Sequence, residues 1–302
     1  RYLFCQTGCR QLGYVQSGST VNLCALDLSN AFDKMNHYGQ YVKLMARLEP
    51  NALLNVNQYF LNICRTCVRW GSAVSVFVQL KCGVLSSHFV AVYVDDIVNK
   101  IVECDYSLKS HFICLSIFVY ADDIPIISPS VTFLQCLCNI VEQELTYLEM
   151  SINAAKSVCI RIGDAYDKDC ANIVLGNGNI IPWSDTCRYL GVYFKSYRVF
   201  KCVFDNAKKA LYRSFNSIYG KIGSNASAAV IFRLLSAKCL PCLLYVLNAC
   251  PVNSSERKSL DFVLYRIAAK ILGTSVGPVV SERRVALGLP PISDTINKIK
   301  KC

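Results

Sequence analysis

The chain has 302 residues, of which 53% are hydrophobic and 18% are charged. This composition excludes a disordered protein and allows one large domain or two smaller ones with a buried core. The net charge of +11, from 32 Lys and Arg against 21 Asp and Glu, favours a polyanionic partner. No apolar run reaches the roughly 20 residues that cross a bilayer, and the closest, Cys239–Cys250, is too short. We therefore expect no membrane partner, and the missing signal peptide and the initial Arg1 indicate a fragment or a conceptual translation.

The 18 cysteines are scattered through apolar segments. In a long chain without a secretory signal this distribution predicts buried, reduced thiols and not a disulfide framework. Two pairs, Cys64–Cys67 and Cys239–Cys242, have the spacing of zinc ligands, but no histidine lies close to either pair. A zinc site is therefore not predicted.

Hydrophobic periodicity predicts a mixed chain whose first part holds strands and helices and whose last part is helical. Residues 1–20 carry three glycines and little pattern, which indicates an irregular lead-in, and Val21–Leu28 reads as a strand that ends on Asp27. The later patterns predict, in order, helices over 38–48 and 51–66, a hairpin over 67–80, a helix over 85–102, a hairpin over 112–128, a helix over 131–150, a strand over 158–162, a hairpin over 172–183, a strand over 187–194 and helices from residue 200.

The stretch Phe112–Ser128 presents two adjacent acids, Asp122 and Asp123, in the turn of a buried hairpin. An Asp-Asp pair can also mark an ordinary surface turn. Charge next to an apolar core is costly unless a cation neutralises it, and Asp27 lies at the end of another predicted strand. If the strands are neighbours, the three acids could hold two divalent ions for an in-line phosphoryl displacement. Without metal, crowded carboxylates would repel one another and their pKa values would rise.

Five segments in order resemble the motifs of reverse transcriptases, most closely those of non-LTR, LINE-type retrotransposons. They are ALDLSNAFDKMNH (25–37), VYADDI (119–124), INAAKSVCIRIG (152–163), CRYLGVYF (187–194) and CLPCLLY (239–245). The resemblance implies an α+β fold, in which a right-hand polymerase palm (an antiparallel sheet with helices) is followed by an all-helical thumb. We accordingly expect a remnant of the fingers in residues 1–20, the palm with partial fingers in 21–194, and the thumb with C-terminal helices in 195–302.

The resemblance also implies an activity, RNA-directed DNA polymerase, which is a nucleotidyltransferase. It makes Asp27, Asp122 and Asp123 both the catalytic residues and the ligands of two Mg²⁺ (or Mn²⁺) ions. It implies an RNA template, a DNA primer and dNTPs as partners, with Phe32, Gly83 and Lys156 contacting substrate. Phe32 matches the residue whose ring crowds a ribose 2′-hydroxyl, which argues against an RNA-dependent RNA polymerase. From the residues alone, the alternative for Phe32 is a core aromatic, and Lys156 can equally be an exposed strand-edge lysine.

The segment from Lys195 to Lys238 carries nine Lys or Arg and one acid, with aromatic residues between them. Such a face can follow a nucleic acid backbone, and we take Lys201, Lys208, Lys209 and Arg213 as its nucleic-acid-binding residues. The alternative is a solvated helix face over a hydrophobic stripe. An intracellular ribonucleoprotein, in nucleus or cytoplasm, is the expected setting.

Several features depart from the family's pattern. Val92–Ile97 (VYVDDI) nearly repeats VYADDI, but its helical surroundings favour the later copy as the metal site. The segment Leu80–Phe89 (LKCGVLSSHF) has lost most of an expected RQGGVLSP motif, and Pro125 removes an N–H from a strand that should be paired. The expected fingers segments and endonuclease domain are missing. We therefore expect a truncated or decayed copy with the fold and with weak or no activity; the alternative is a non-catalytic, nucleic-acid-binding remnant.

Overall fold

The computed structural model describes residues 18–301 except 30, 81, 84–86, 111–112 and 224. Most of the predicted lead-in, residues 1–17, lies outside the described residues.

Strands and helices are interspersed up to residue 203, and helices follow. The strands are β1 (Val21–Asp27), β2 (Arg65–Thr66), β3 (Arg69–Trp70), β4 (Ala73–Val74), β5 (Val78–Gln79), β6 (Lys109–Ser110), β7 (Ile113–Cys114), β8 (Asp123–Ser128), β9 (Val158–Ile162), β10 (Ile173–Val174), β11 (Ile180–Ile181), β12 (Thr186–Tyr189), β13 (Val192–Lys195) and β14 (Lys201–Val203). The helices are α1 (Ala31–Lys34), α2 (His37–Ala46), α3 (Asn51–Ile63), α4 (Ser87–Glu103), α5 (Val131–Tyr147), α6 (Asp205–Ile222), α7 (Ala228–Leu234), α8 (Leu240–Ala249), α9 (Ser254–Leu272), α10 (Gly277–Ala286) and α11 (Ile292–Lys301).

The central sheet has three antiparallel strands in the order β8-β1-β9. Its middle strand, β1, is almost entirely buried, as expected for a strand with a partner on each side. Side chains on one face, including Cys24, Leu26 and Ile124, join α4 and α5 in a continuous apolar core. Burial of this core stabilises the fold by about 25 cal/mol for each Å² of apolar surface removed from water. The sheet therefore holds the end of β1, and with it Asp27, in a fixed frame.

Several sequence predictions agree with the structure. The strand predicted over 158–162 is β9, the hairpin over 172–183 is formed by β10 and β11, and the hairpin over 67–80 turns at Gly71. VYVDDI lies on helix α4, as predicted. The α+β class is confirmed.

Three predictions require correction. The helix expected to run to Thr66 ends at Ile63, because residue 65 already pairs with Gln79. The single strand expected over 187–194 is a hairpin that turns at Leu190 and Gly191, both with positive φ (47° and 79°). A further strand, β14, precedes the helices, so these begin at Asp205.

The first half of the hairpin predicted over 112–128 is less regular than expected. Residues 113–114 form the short strand β7, and residues 117 and 120 make isolated bridges with Ile126 and Asp123. Phe112 lies outside the described residues.

The chain divides into two compact units. One contains the central sheet and continues to Cys187, with Ser196–Phe200, and the other contains Arg188–Lys195 and everything from Lys201. The palm and thumb boundary expected at residues 194 and 195 stays a prediction.

The second unit contains one long apolar helix, Ala228–Asn248, in which a π-helical segment, Leu235–Cys239, joins α7 to α8. Pro241 follows this segment; because proline lacks an N–H and its ring clashes with the carbonyl four residues earlier, a wider turn accommodates it. Among the described residues this helix has the length and composition of a membrane span, which corrects the expectation that no stretch is long enough. The most apolar 18 residues of this helix are 44% buried. Core helices of soluble proteins can have the same length and composition.

No cysteine in the described part of the chain forms a disulfide. The predicted burial holds only in part, since Cys82 and Cys242 are exposed and several other cysteines are half-buried. Cys24, Cys138 and Cys159 are fully buried beneath the central sheet. Hydrogen bonds with Cys138 and Cys159, which favour the protonated thiol, and complete burial raise the pKa of Cys24 well above its ordinary value. Burial likewise raises the pKa of Cys187 to about 12. The Cys24 and Cys187 thiols therefore stay protonated at neutral pH.

Candidate active site

Asp27 and Asp123 lie directly opposite each other in the antiparallel pair of β1 and β8. The backbone of Asp27 hydrogen-bonds toward β9, and the N–H of Asp123 donates to Tyr120 on the other side (3.0 Å). The two residues are therefore a non-hydrogen-bonded pair, whose Cα atoms are about 4.5 Å apart and whose side chains leave the same face. The two segments singled out in the sequence do meet.

Asp122 occupies the turn of the hairpin. Tyr120 and Asp123 exchange backbone hydrogen bonds of 3.0 Å around the two-residue turn Ala121–Asp122, and the carbonyl of Asp122 accepts from the N–H of Leu28 (3.1 Å). Ala121 has φ of +56°, a left-handed conformation that costs a residue with a Cβ about 1–2 kcal/mol. The turn is therefore held by the hydrogen bonds between Tyr120 and Asp123 within the hairpin and by the hydrogen bond from Leu28, which follows β1.

Pro125 does not interrupt the sheet, contrary to the concern raised by the sequence. Its carbonyl accepts from the N–H of Phe118 (3.1 Å), so the polar groups of residue 125 face away from β1. β8 lies at the end of the β8-β1-β9 order, and the N–H that proline lacks is not one that β1 needs.

The electrostatics of Asp27 are those of a partly desolvated carboxylate beside a like charge. Its side chain is 23% exposed, and its Oδ2 atom is buried without a hydrogen-bond partner. Burial raises the pKa of Asp27 above its ordinary value, the Lys156 ammonium counteracts this in part, and the Asp122 carboxylate adds to the rise. Lys156 Nζ lies 3.8 Å from Oδ2, which is an ion pair without a hydrogen bond. A compact cation would satisfy Oδ2 better than this lysine does.

These carboxylates fit the divalent ions that the sequence resemblance implies. Carboxylate oxygens are the hard ligands that Mg²⁺ prefers, and Mg²⁺ is usually held by one or two carboxylates together with water and substrate phosphates. The orphaned Oδ2 of Asp27 and the nearby Asp122 supply such a pair. No group of three or more His, Cys, Asp or Glu in the described residues is arranged to hold a metal by itself. Neither Cys-x-x-Cys pair is therefore part of such a group.

Gly83, expected to contact substrate, is fixed against the segment that follows β1. Its N–H donates to the carbonyl of Met35 (2.9 Å), and its carbonyl accepts from the ring Nε2 of His37 (2.7 Å). Its φ of +96° is one that residues with a Cβ rarely adopt. Lys81, Leu85 and Ser86 of the same motif lie outside the described residues.

Phe32 lies on the short helix α1, five residues after Asp27. Its side chain lies outside what the structure describes, so its role at the sugar of a nucleotide stays a prediction.

The acids of VYVDDI are engaged elsewhere. Asp95 pairs with Arg47, and Asp96 pairs with Lys43 Nζ at 2.9 Å. Both lie on α4, and their partners are Lys43 on α2 and Arg47 directly after it. This copy forms surface ion pairs, whose contribution to stability is small.

The sequence reasoning missed two residues that hold Asp27, Asn153 and Ser157. The N–H of Asp27 donates to Ser157 Oγ (3.0 Å), and the carbonyl of Asp27 accepts from the N–H of Asn153 (2.8 Å). The turn between them carries Lys156 and borders a cleft of about 650 Å³. Their nearness to Lys156 in the sequence was the one available signal.

The four predicted nucleic-acid-binding residues are not equivalent. Lys209 and Arg213 are exposed one helical turn apart on α6, and Lys201 is exposed on β14. Lys208 instead contacts Asp205 (3.3 Å) and Ser259 (2.9 Å). Of the aromatic residues between these charges, Phe204 and Phe215 are buried and belong to the hydrophobic stripe.

Acidic groups gathered at one end of an antiparallel sheet define a candidate centre for metal-dependent phosphoryl transfer. A family model described as "Reverse transcriptase (RNA-dependent DNA polymerase)" matches residues 5–194, well over half of the 302 residues. The chain therefore belongs to the reverse transcriptase family. No curated protein compared with the chain matches it.

Among solved structures, the chain is similar to telomerases from Candida. Apo telomerase from Candida tropicalis matches 90% of this chain over 48% of its own, with 13% identity and a TM-score of 0.49. The same enzyme in complex with a TWJ fragment of telomeric RNA matches 88% over 42%, with 12% identity and a TM-score of 0.48. The Candida albicans complex matches 99% over 52%, with 11% identity and a TM-score of 0.40. The chain spans about half the length of these proteins, and the family assignment rests on the family model alone.

Proposed function

We propose that this chain is the polymerase part of a LINE-type reverse transcriptase, built for RNA-directed DNA synthesis by two-metal nucleotidyl transfer. The observation that carries the proposal is the meeting of Asp27, Asp122 and Asp123 at one end of the central sheet, in a chain of this family. The partners are an RNA template, a DNA primer and dNTPs, in an intracellular ribonucleoprotein.

Each residue has a role in this proposal. Asp27 and Asp122 hold the divalent ions, Mg²⁺ or Mn²⁺, with Asp123 as the neighbouring acid. Ions bound there stabilise the attacking and leaving oxygens of the displacement. Lys156, 3.8 Å from Asp27 Oδ2, is free to leave this weak pair and neutralise the departing pyrophosphate. Gly83 permits close approach of the backbone, and Phe32 excludes a ribose 2′-hydroxyl.

A second candidate function is nucleic acid binding without catalysis. It is favoured by the altered segment at Leu80–Phe89 and by the absence, in the described parts of the chain, of a ready three-residue metal cluster. This reading gives a truncated or decayed copy in which the basic residues of α6 still contact RNA.

Primer extension on an RNA template tests the proposal, with dNTPs or NTPs and Mg²⁺. We expect incorporation of dNTPs only, at a low rate, and a loss of at least about 100-fold in Asp122→Asn, because metal-ion stabilisation supplies several kcal/mol. Asp96→Asn is the matched control, since it alters the same motif letters on α4 and should retain activity.

RNA binding by electrophoretic mobility shift separates the two candidates. Binding should persist in wild type and Asp122→Asn alike. RNA binding without any synthesis by wild type would favour the second candidate, and synthesis that survives Asp122→Asn would refute the proposed site.

A further inference from the structure

The pairing of β1 with β9 is interrupted beside Asp27. The ladder runs from Val21 to Ala25, which pairs with Val158, and resumes as a single bridge between Leu28 and Ile152. Continuous pairing would have placed residue 155 opposite Leu28. Residues 153–157 instead form a turn outside the ladder, and this turn carries Lys156.

The interruption removes the ladder partner of the Asp27 N–H. Ser157 replaces it with a side chain: its Oγ accepts from the N–H of Asp27 (3.0 Å) and donates to the carbonyl of Asn153 (2.8 Å). The N–H of Asn153 in turn donates to the carbonyl of Asp27 (2.8 Å). These three hydrogen bonds close a ring. Ser157 is only 1% exposed, so water does not readily substitute for its hydroxyl.

We infer that Ser157 is a positioning residue, whose hydroxyl ties the backbone of Asp27 to the turn that carries Lys156. The ring of hydrogen bonds holds Asp27, which is to bind a cation, in a fixed position relative to the turn that carries Lys156, which is to face the leaving group. This inference rests on the proposed function for its catalytic meaning. The positioning itself is a property of the chain.

The substitution Ser157→Ala leaves the Asp27 N–H buried and unpaired. We expect a loss of about 10-fold in the affinity for Mn²⁺, the lower end of the range for groups that orient metal ligands. Mn²⁺ is titrated into the full chain and followed by electron paramagnetic resonance. Amide hydrogen exchange should show that the Asp27 N–H loses protection. Ser157→Thr keeps the hydroxyl and should retain both properties.

Ser116→Ala is the matched control. Ser116 is fully buried, and its Oγ also accepts a backbone N–H, that of Leu108 (2.6 Å). It should lower stability to a similar degree, which a denaturant titration measures, while Mn²⁺ affinity and protection of Asp27 stay as in wild type. Equal effects of Ser157→Ala and Ser116→Ala on both readouts would overturn the inference.

The proposed function and this inference can fail separately. If wild type neither binds Mn²⁺ nor extends a primer, the proposed function fails, and amide exchange alone decides the positioning role. Loss of Asp27 protection in Ser157→Ala, with recovery in Ser157→Thr, then supports the role. Unchanged protection in Ser157→Ala overturns it.

Discussion

At the scale of single residues, the charge of Asp27 lowers the stability of the folded chain at neutral pH. Asp27 is partly desolvated, lies beside Asp122 and has a buried oxygen that lacks a hydrogen-bond partner. Its pKa is raised, so the folded chain binds a proton more tightly than the unfolded chain does. The stability gained from this proton is present at low pH and is lost as the pH rises through the raised pKa. Function therefore opposes stability at this position.

We predict that Asp27→Asn raises the free energy of unfolding at pH 7, without divalent ions, by about 0.5–2 kcal/mol. The advantage over wild type should shrink as the pH falls below the pKa of Asp27, and millimolar Mg²⁺ should stabilise wild type only, because the ion binds the folded state. Urea titrations at several pH values measure this. Asp33→Asn, at an exposed acid, is the control. A variant less stable than wild type at pH 7 would show that the ion pair with Lys156 outweighs desolvation.

The segments that carry the acidic residues could be predicted from the sequence, but the residues that hydrogen-bond the backbone of Asp27 could not. The family resemblance singled out the segments of Asp27 and Asp122, and the pairing of β1 with β8 brings these segments together; from the residues alone, the Asp-Asp pair could equally have marked a surface turn. Ser157 could not be predicted, because its role depends on where the β1 and β9 ladder is interrupted. Likewise, the sequence does not show that the backbone polar groups of Pro125 face away from β1, so that the proline leaves the β1–β8 pairing intact.

At the scale of elements, the hairpin formed by β2–β5 has little packing against the rest of the described chain. Its strands are exposed along their length, and Trp70 and Phe77 are 85% and 67% exposed. A two-stranded hairpin with both faces in water is marginally stable. Exposed apolar side chains of this kind promote association of copies.

We predict that the double variant Trp70→Ser, Phe77→Ser changes the free energy of unfolding by less than about 0.5 kcal/mol. It should also aggregate at higher protein concentrations than wild type. Light scattering against concentration and a denaturant titration check both effects. Tyr147→Ser, which removes another exposed aromatic residue, should leave aggregation unchanged. Destabilisation by more than 1 kcal/mol would mean that the hairpin packs more firmly than its exposure indicates.

The sequence predicted this hairpin from its turn at Gly71 but not its exposure. Its strands mix apolar residues with Arg65, Arg69 and Gln79, a pattern that does not show which face is covered, and all four strands are exposed in the fold. The third strand β14 was missed because Lys201–Val203 is too short to show a period. Long, periodic elements such as α5 were predicted to within a few residues.

At the scale of the whole molecule, the net charge of +11 favours binding of a polyanionic partner. Attraction to phosphates is long-ranged and sensitive to salt. The exposed residues Lys209 and Arg213 are suited to this role. Lys208 is not, because Asp205 and Ser259 already occupy its ammonium group.

We predict that Lys209→Gln and Arg213→Gln each weaken RNA binding and reduce the slope of log affinity against log salt by roughly 1. Lys208→Gln, which changes the charge equally, should leave the slope near that of wild type. Fluorescence anisotropy with a labelled RNA at several salt concentrations gives the slopes. Equal slopes for all three variants would place the contact elsewhere.

The distribution of thiols has a practical consequence for labelling. Cys82 and Cys242 are the exposed cysteines among those the structure describes, and each belongs to a different unit. Cys24, Cys138 and Cys159 are fully buried, so a maleimide dye should leave these thiols unmodified while the protein is folded. Fluorophores at these two positions would report the distance between the units in solution, with and without RNA.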